Sequence, residues 1–412
     1  MTAAERPAVS FDPFEEGFTA WPYAQYGRLR AADPVHQSAL LQGWVLTRYA
    51  DVERVLRDPK MSSVVDNATP TPNTITEITR RAEIGYETNP LPLLDEPDHT
   101  RVRRLIAPSF RKGAVKDLQA TIERHVDDLL DAVVERHGSS GTFDLVSDLA
   151  YPMPVAVICE LMGIPEEDGD HFRHWVQLVA LGLDPVIDAD QREASLAAGE
   201  EMREYLRAQV RAKKHEPTND LTSGLVHHVD DGDTLDDDEL IAQLQTLYIA
   251  GHEPATAVLG NGMRGLLEQP DELARLRTDP SLISDGVLEL LRFDGPNQFV
   301  RRIAMEDLHF GATTVPSGAV LYPCIGAANH DPAQFGHDAD RIRVDRPAAA
   351  HHLQFGTGIH ACVGTHLARL EIEVTLRRLL TRFGSLELAA EPTWSPRMVL
   401  RSVNELHLSY DI

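Results

Sequence analysis

The segment Phe355-Gly356-Thr-Gly358-Ile-His360-Ala-Cys362-Val-Gly364 sets one cysteine at the end of a glycine-framed loop, directly before the helical run His366-Leu-Ala-Arg-Leu-Glu371. The glycines let the backbone bend closely around a bound group. A thiol at a helix start meets unpaired N–H groups and the positive end of the helix dipole, and both favour the thiolate, the form that ligates metal. An inert buried thiol is the ordinary reading of a lone cysteine; the loop and the helix start argue for a ligand. Two other pairs carry charge at helical spacing. Glu289 and Arg292 stand three apart, which alone is the pattern of a surface ion pair worth about 0.2–0.5 kcal/mol. His99 and Arg103 stand four apart on one helix face, a geometry that can hold an anionic group.

The pattern FGxGxHxCxG resembles the haem-binding loop of the cytochrome P450 family at each fixed position. That resemblance implies that Cys362 is the axial ligand of the iron of haem b, in a loop framed by Phe355 and Gly356. Thiolate ligation pushes electron density to the iron and favours O–O cleavage. By the same resemblance Glu289-Leu-Leu-Arg292 is the ExxR motif, with Arg346 as the third member of a buried ionic core, while His99, Arg103, Arg302 and His360 hold the haem propionates. Matching segments follow in the order of the bacterial soluble branch over nearly the whole chain. The resemblance implies a single domain, 1–412, mainly α with a small β region and with a long central helix over the haem. It implies a monooxygenase acting by hydroxylation, epoxidation or oxidative coupling on a small to medium organic molecule of natural-product biosynthesis. A haem-binding sensor or carrier without turnover is the alternative, and a cysteine-nucleophile hydrolase is a more distant one.

One motif departs from the family. Where its usual form is Ala-Gly-x-Glu/Asp-Thr-Thr, this chain reads Ala250-Gly251-His-Glu253-Pro254-Ala255-Thr256. In the family the first threonine bonds the carbonyl four residues back and holds a water that serves proton delivery. Proline has no N–H for the Ala250 carbonyl, so a kink and a free carbonyl are expected, but no hydroxyl. Thr256 falls on the opposite face of the helix. Proton delivery then passes to ordered water, Glu253 or a substrate hydroxyl, unless Pro254 is merely tolerated. Thr246, Ile249, Ala250 and Glu253 or Pro254 share one helical face, which the resemblance turns toward the substrate. Gln298, Phe299, Val300 and Met398 match other substrate-facing positions, with core packing an equal reading for Phe299 and Met398.

The elements that must position these groups are mostly helical. Apolar residues recur at three- and four-residue spacing over Ala114–Val134, Leu196–Lys213, Thr234–Leu267 and Leu367–Phe383. Strand signals are few: Gly43–Arg48, Leu308–Leu321 with its Pro316-Ser-Gly turn, and Leu386–Leu408. The stretches Met61–His99 and His171–Ser195 are expected to roof a pocket, with Trp175 among its contacts. The acidic run Asp230–Glu239 fits the start of a helix better than a calcium loop.

With 39 Lys and Arg against 64 Asp and Glu, the formal net charge is −25, which argues against nucleic acid as a partner. Three scattered cysteines and no long apolar run point to a cytoplasmic protein with no membrane segment. There is no dinucleotide-binding fingerprint, flavin segment or iron–sulfur cysteine set, so electrons are expected from a separate ferredoxin and its reductase. Arg104, Arg111, Lys112 and Arg369 are the candidate docking cations on the Cys362 side.

Overall fold

The structure, a computed structural model, describes residues 9–70, 88–165, 168–184, 187–230 and 232–412. Residues 71–87 of the Met61–His99 stretch lie outside them. The expected helical periodicity is present as a set of packed helices, the longest being Asp237–Leu267. Its start is fixed locally: the Asp236 side chain accepts from the Glu239 N–H while the Glu239 side chain accepts from the Asp236 N–H, a capping box that leaves three acidic residues in the positive first turn. The acidic run thus does begin a helix. Asp230 and Asp233, just upstream, pair with Arg104 at 3.0 and 3.4 Å. The helix continues through Pro254.

The run expected over Ala114–Val134 is two helices, Lys112–Lys116 and Gln119–His137, because Asp117 and Leu118 interrupt the pattern. Gln119–His137 buries Ile122, Val126, Leu130 and Val133, at four- and three-residue spacing, in the main hydrophobic cluster shared with the long helix and with Thr365–Arg382. No helix among the described residues is long and apolar enough to cross a membrane.

The β structure is more extensive than its sequence signals. β1 (Val35–Ser38), β2 (Gly43–Leu46), β3 (Met61–Ser62), β5 (Arg302–Ala304) and β8 (Val320–Pro323) form a sheet ordered β1-β2-β8-β5-β3, antiparallel except for the β2–β8 pair. β4 (Ser140–Asp144), which the sequence reading missed, joins β9 (Ser385–Leu388) and β12 (His407–Asp411) in a second sheet. The Leu308–Leu321 region holds two turns. Gly311, at φ +61°, closes β6 (Leu308–Phe310) on β7 (Thr313–Val315), and Gly318, at φ +80°, makes the Pro316-Ser-Gly turn into β8. β10 (Thr393–Trp394) and β11 (Val403–Glu405) form a hairpin ahead of β12.

Candidate active site

Glu289 and Arg292 lie on helix Ile283–Asp294, fully buried, with Arg292 donating from Nε and a terminal nitrogen to the two carboxylate oxygens at 2.7 and 2.8 Å. Arg346 donates from Nε to Glu289 at 3.0 Å, and the Arg343 N–H reaches the same oxygen at 2.8 Å. The remaining guanidinium hydrogens are used on the carbonyls of Asn329, Ala339 and Arg341 by Arg292, and on Asp338 and the Phe335 carbonyl by Arg346. A buried ion pair contributes only when its other hydrogen-bonding capacity is met, as it is here.

A second cationic group is assembled from three elements and is not satisfied in that way. His99 (helix Asp98–Ile106), Arg103 one turn on, Arg302 (β5) and His360 (Cys362 loop) converge, with the two imidazole rings 4.4 Å apart edge to face. Both ring nitrogens of His99 and Nδ1 of His360 are buried without a hydrogen-bond partner among the described residues. Glu96 Oε1 is 4.0 Å from His99 Nδ1, beyond hydrogen-bond reach, and His360 Nε2 meets Ser63 Oγ at 3.1 Å.

The charge balance is unfavourable to cations. Burial first, then the neighbouring Arg302, His99 and Arg103, push His360 down to about 3, and burial with Arg103 lowers His99. Arg302 is drawn down to about 10, chiefly by burial. Asp95, whose charge opposes that loss, is tied up by the Ser63 N–H at 2.8 Å and by the Ser62 hydroxyl. Buried donors and positive charge with nothing to receive them fit an anionic group from outside the chain.

Beside this cluster stands Cys362. Its N–H donates to the Phe355 carbonyl at 2.8 Å, closing the loop, and Gly356 and Gly358 turn it at φ +64° and +73°. A Cβ at Gly358 would come within 2.7 Å of the Leu56 carbonyl oxygen, so the loop also requires the missing side chain for contact with helix Tyr49–Arg57. The helix after the cysteine begins at Thr365, and the expectation that its N-terminus settles the thiolate needs correction. Burial raises the thiol's pKa against the opposing pull of the Gly364 N–H, Thr365 and the Arg103 charge. A coordinated metal ion deprotonates a thiol outright, and Cys362 as a residue is exposed. The donor set therefore fits a group that is anionic at one end and presents a soft-ligand metal to sulfur.

The long helix is buried from Leu240 to Leu266 except along one strip. Ala250 is exposed, Thr246, Leu247, Ile249, Gly251, Glu253 and Pro254 are partly so, and Thr256 is buried with its hydroxyl unpartnered among the described residues. Gly251 of the Ala-Gly-x-Glu motif, expected among the reacting residues, packs against helix Pro152–Met162: a Cβ there would lie 2.9 Å from Ile158 Cδ1. Glu253 is not a free acid, since its Oε2 is held by Arg397 at 2.6 Å. Sequence reasoning missed Arg397, 144 positions away, for no periodicity links the two.

One further assignment, Gln298, needs correction, and for Phe299 the structure favours the core-packing reading. Gln298 is 1% exposed, donating to the Gly295 carbonyl and packing on Gly326, and Phe299 is 3% exposed among Phe11, Tyr26 and the β-region core. Both are core residues, because the irregular segment before β5 rotates them inward. Val300 is partly buried against one β-region cluster and Met398 against another. Trp175 donates to Glu201 at 2.9 Å and packs on Phe172 and Tyr205, so it fastens helix Gly169–Leu181 to helix Ala189–His215 and is not a free pocket contact.

The cytochrome P450 family model matches residues 45–286 and 281–402. The chain is 36% identical to Cytochrome P450 107B1 of Saccharopolyspora erythraea, over 98% of each chain. It is 35% identical to the cytochrome P450 monooxygenase PikC of Streptomyces venezuelae, over 99% of this chain and 96% of that one. Among solved structures, the polyketide synthase cytochrome P450 PksS of Bacillus subtilis superposes with a TM-score of 0.87 at 31% identity, covering 98% of this chain and 100% of that one. The chain belongs to the cytochrome P450 family. It is a haem-iron monooxygenase of the kind that draws electrons from redox partners, with relatives in polyketide and natural-product biosynthesis.

Proposed function

We propose that the chain, as one domain, binds haem b through Cys362 and oxidises a small to medium organic molecule of natural-product biosynthesis, by hydroxylation, epoxidation or oxidative coupling, in the cytoplasm. The observation that carries the reading is the juxtaposition of an accessible Cys362 with buried, unpartnered nitrogens of His99 and His360 between Arg103 and Arg302. These four side chains would hold the propionates. Haem on a thiolate would supply the reductive activation of dioxygen. Glu289, Arg292 and Arg346 keep the core rigid on that side of the molecule, and the strip Thr246, Ile249, Ala250, Glu253 and Pro254 faces the substrate.

Electrons come from a ferredoxin and its reductase. Of the four docking cations, Arg104 is taken up by Asp230 and Asp233 and Arg369 by Glu373, which leaves Arg111 and Lys112 exposed for an acidic partner. Charge reversal at these two should slow ferredoxin-driven reduction at low salt, and an unchanged rate discards that surface. The sensor or carrier reading has one observation in its favour, Pro254 where a hydroxyl is usual. Turnover with a redox chain separates the two.

The testing experiment is an absorbance titration of the ferric protein with macrolides, steroids, terpenoids, phenols and cyclic peptides. A thiolate-type haem spectrum that shifts from low to high spin with one class supports the reading and names the substrate class. A protein that cannot be loaded with haem overturns it.

A further inference from the structure

The C-terminal loop between β10 and β11 is fastened on two sides by carboxylates. Asp184, which follows helix Gly169–Leu181, accepts the Met398 N–H at 3.1 Å and the Val399 N–H at 2.7 Å. Next to Asp184's partners on the same loop segment, Arg397 donates to Glu253 of the long helix at 2.6 Å, with side-chain exposures of only 14% and 10%. Arg397 is itself braced inside the loop, donating from Nε to Ser395 Oγ at 3.2 Å and from a terminal nitrogen to Ser402 Oγ at 3.4 Å. Its direction is therefore set before it meets Glu253, and a braced guanidinium fixes a carboxylate better than a free one does. The other oxygen of Glu253 is left free of Arg397: His252 Nε2, 3.9 Å from Oε1, is too far to bond it, and His252 donates from Nδ1 to the Tyr248 carbonyl. Glu253 sits one turn from Ala250, the exposed point of the helix, and beside Pro254, which carries no hydroxyl.

We propose that Arg397 is a positioning residue for the monooxygenase reaction: carried on a loop that Asp184 fastens beneath helix Gly169–Leu181, it holds the Glu253 carboxylate in place at the open strip of the long helix. Seating of that loop and orientation of the acid then go together. The Glu253 carboxylate takes a proton from water at Oε1 and hands that proton on into the site, where dioxygen reduced by the ferredoxin's electrons consumes it, so that Glu253 ends as the carboxylate it began as; Arg397 exchanges no proton and no electron. The inference rests on the haem-thiolate reading above.

The test uses the haem-loaded enzyme with ferredoxin, reductase and dioxygen and no organic substrate. The variants are Glu253→Gln, Arg397→Gln, Arg397→Lys and the Glu253→Gln/Arg397→Gln double. Arg397→Gln is expected to reproduce the effect of Glu253→Gln on the solvent isotope effect of oxygen consumption and to raise the peroxide yield by about tenfold. Arg397→Lys should restore most of the loss, and in the double variant the second change should add nothing. In thermal unfolding each single variant should lower the midpoint by about 2 °C, with the double no lower than the singles. An isotope effect that moves with Glu253→Gln but not with Arg397→Gln, or additive losses in the double, overturns the proposal. A wild-type protein without a thiolate-type carbonyl spectrum overturns the underlying reading instead.

Discussion

The Glu289–Arg292–Arg346 triad and the His99–Arg103–Arg302–His360 cluster are both cationic groups taken out of water, yet they close their hydrogen bonds in opposite ways. In the triad the carboxylates of Glu289 and Asp338 and a set of backbone carbonyls receive nearly every guanidinium hydrogen, and nothing from outside is required. In the cluster three ring nitrogens have no partner among the described residues, and the histidines are driven toward neutrality by burial first and then by the arginines beside them. Desolvated polar groups destabilise a fold unless they are paired, so the unpaired set is where the chain is built for a ligand and the paired set is where it is built for itself. Residue types alone do not separate the two, since each contains arginines at helical or strand positions.

The largest effect should come from breaking the satisfied group. Arg292→Ala leaves Glu289 buried beside fewer donors and is expected to cost about 3–5 kcal/mol of stability, read by denaturant unfolding of the loaded enzyme. A loss below about 1 kcal/mol would show that the triad is not the closed unit described. The cluster should respond in the reverse sense. Arg302→Met removes a buried cation whose hydrogen bond among the described residues goes to the Arg301 carbonyl, at 2.7 Å. It should change the thermal midpoint by no more than about 1–2 °C. Haem loss to an acceptor globin should accelerate by about 10–100-fold, the worth of a charge-assisted hydrogen bond of about 1.5–3 kcal/mol. A large drop in midpoint with unaltered haem loss would reverse the comparison.

How much of this could be read from the sequence follows from how local each feature is. The Cys362 loop, Glu289 with Arg292, and His99 with Arg103 are short segments whose spacing carries the geometry, and the capping box at Asp236 is likewise a four-residue pattern. Arg346 was reachable only through family resemblance, because 54 residues of chain separate it from Arg292. Gln298 was misplaced and Phe299 left between two readings because the segment before β5 has no regular period from which to read an inward face. β4 was missed because Ser140–Asp144 has a single buried apolar residue, Phe143, and is held as a strand by pairing with β12. Glu253 with Arg397 and Ser63 with His360 are tertiary meetings that no local pattern encodes.

The titration of His360 sharpens the contrast further. Its pKa is pushed from 6.5 down to about 3 in the folded chain, so between those values the unfolded chain binds a proton that the folded chain does not. Stability from this residue is therefore complete above pH 6.5 and is lost as the pH falls toward 3. The slope is at most about 1.4 kcal/mol per pH unit. His360→Gln should flatten the dependence of unfolding free energy on pH by up to one proton. Propionates placed against Arg103 and Arg302 would offset the charges that depress the histidine, so the loaded wild-type enzyme should show a shallower slope than haem-depleted protein. Equal slopes would mean that no anion reaches the cluster.

The smallest effect is also the most specific. Ser63 is 2% exposed, its N–H is committed to Asp95, and its hydroxyl lies 3.1 Å from His360 Nε2. If an external acceptor takes the proton of Nδ1, a neutral imidazole must accept at Nε2, and Ser63 is the donor that selects this tautomer. Ser63→Ala removes the selection without touching any cation. It should lower stability by about 1 kcal/mol and speed haem loss by about fivefold, since one neutral hydrogen bond is worth about that much. Ser63→Thr should retain the hydroxyl and most of the affinity. Wild-type haem retention in Ser63→Ala would mean that His360 is oriented by its own loop, and that the cluster's only protein partner on that ring is incidental to the ligand.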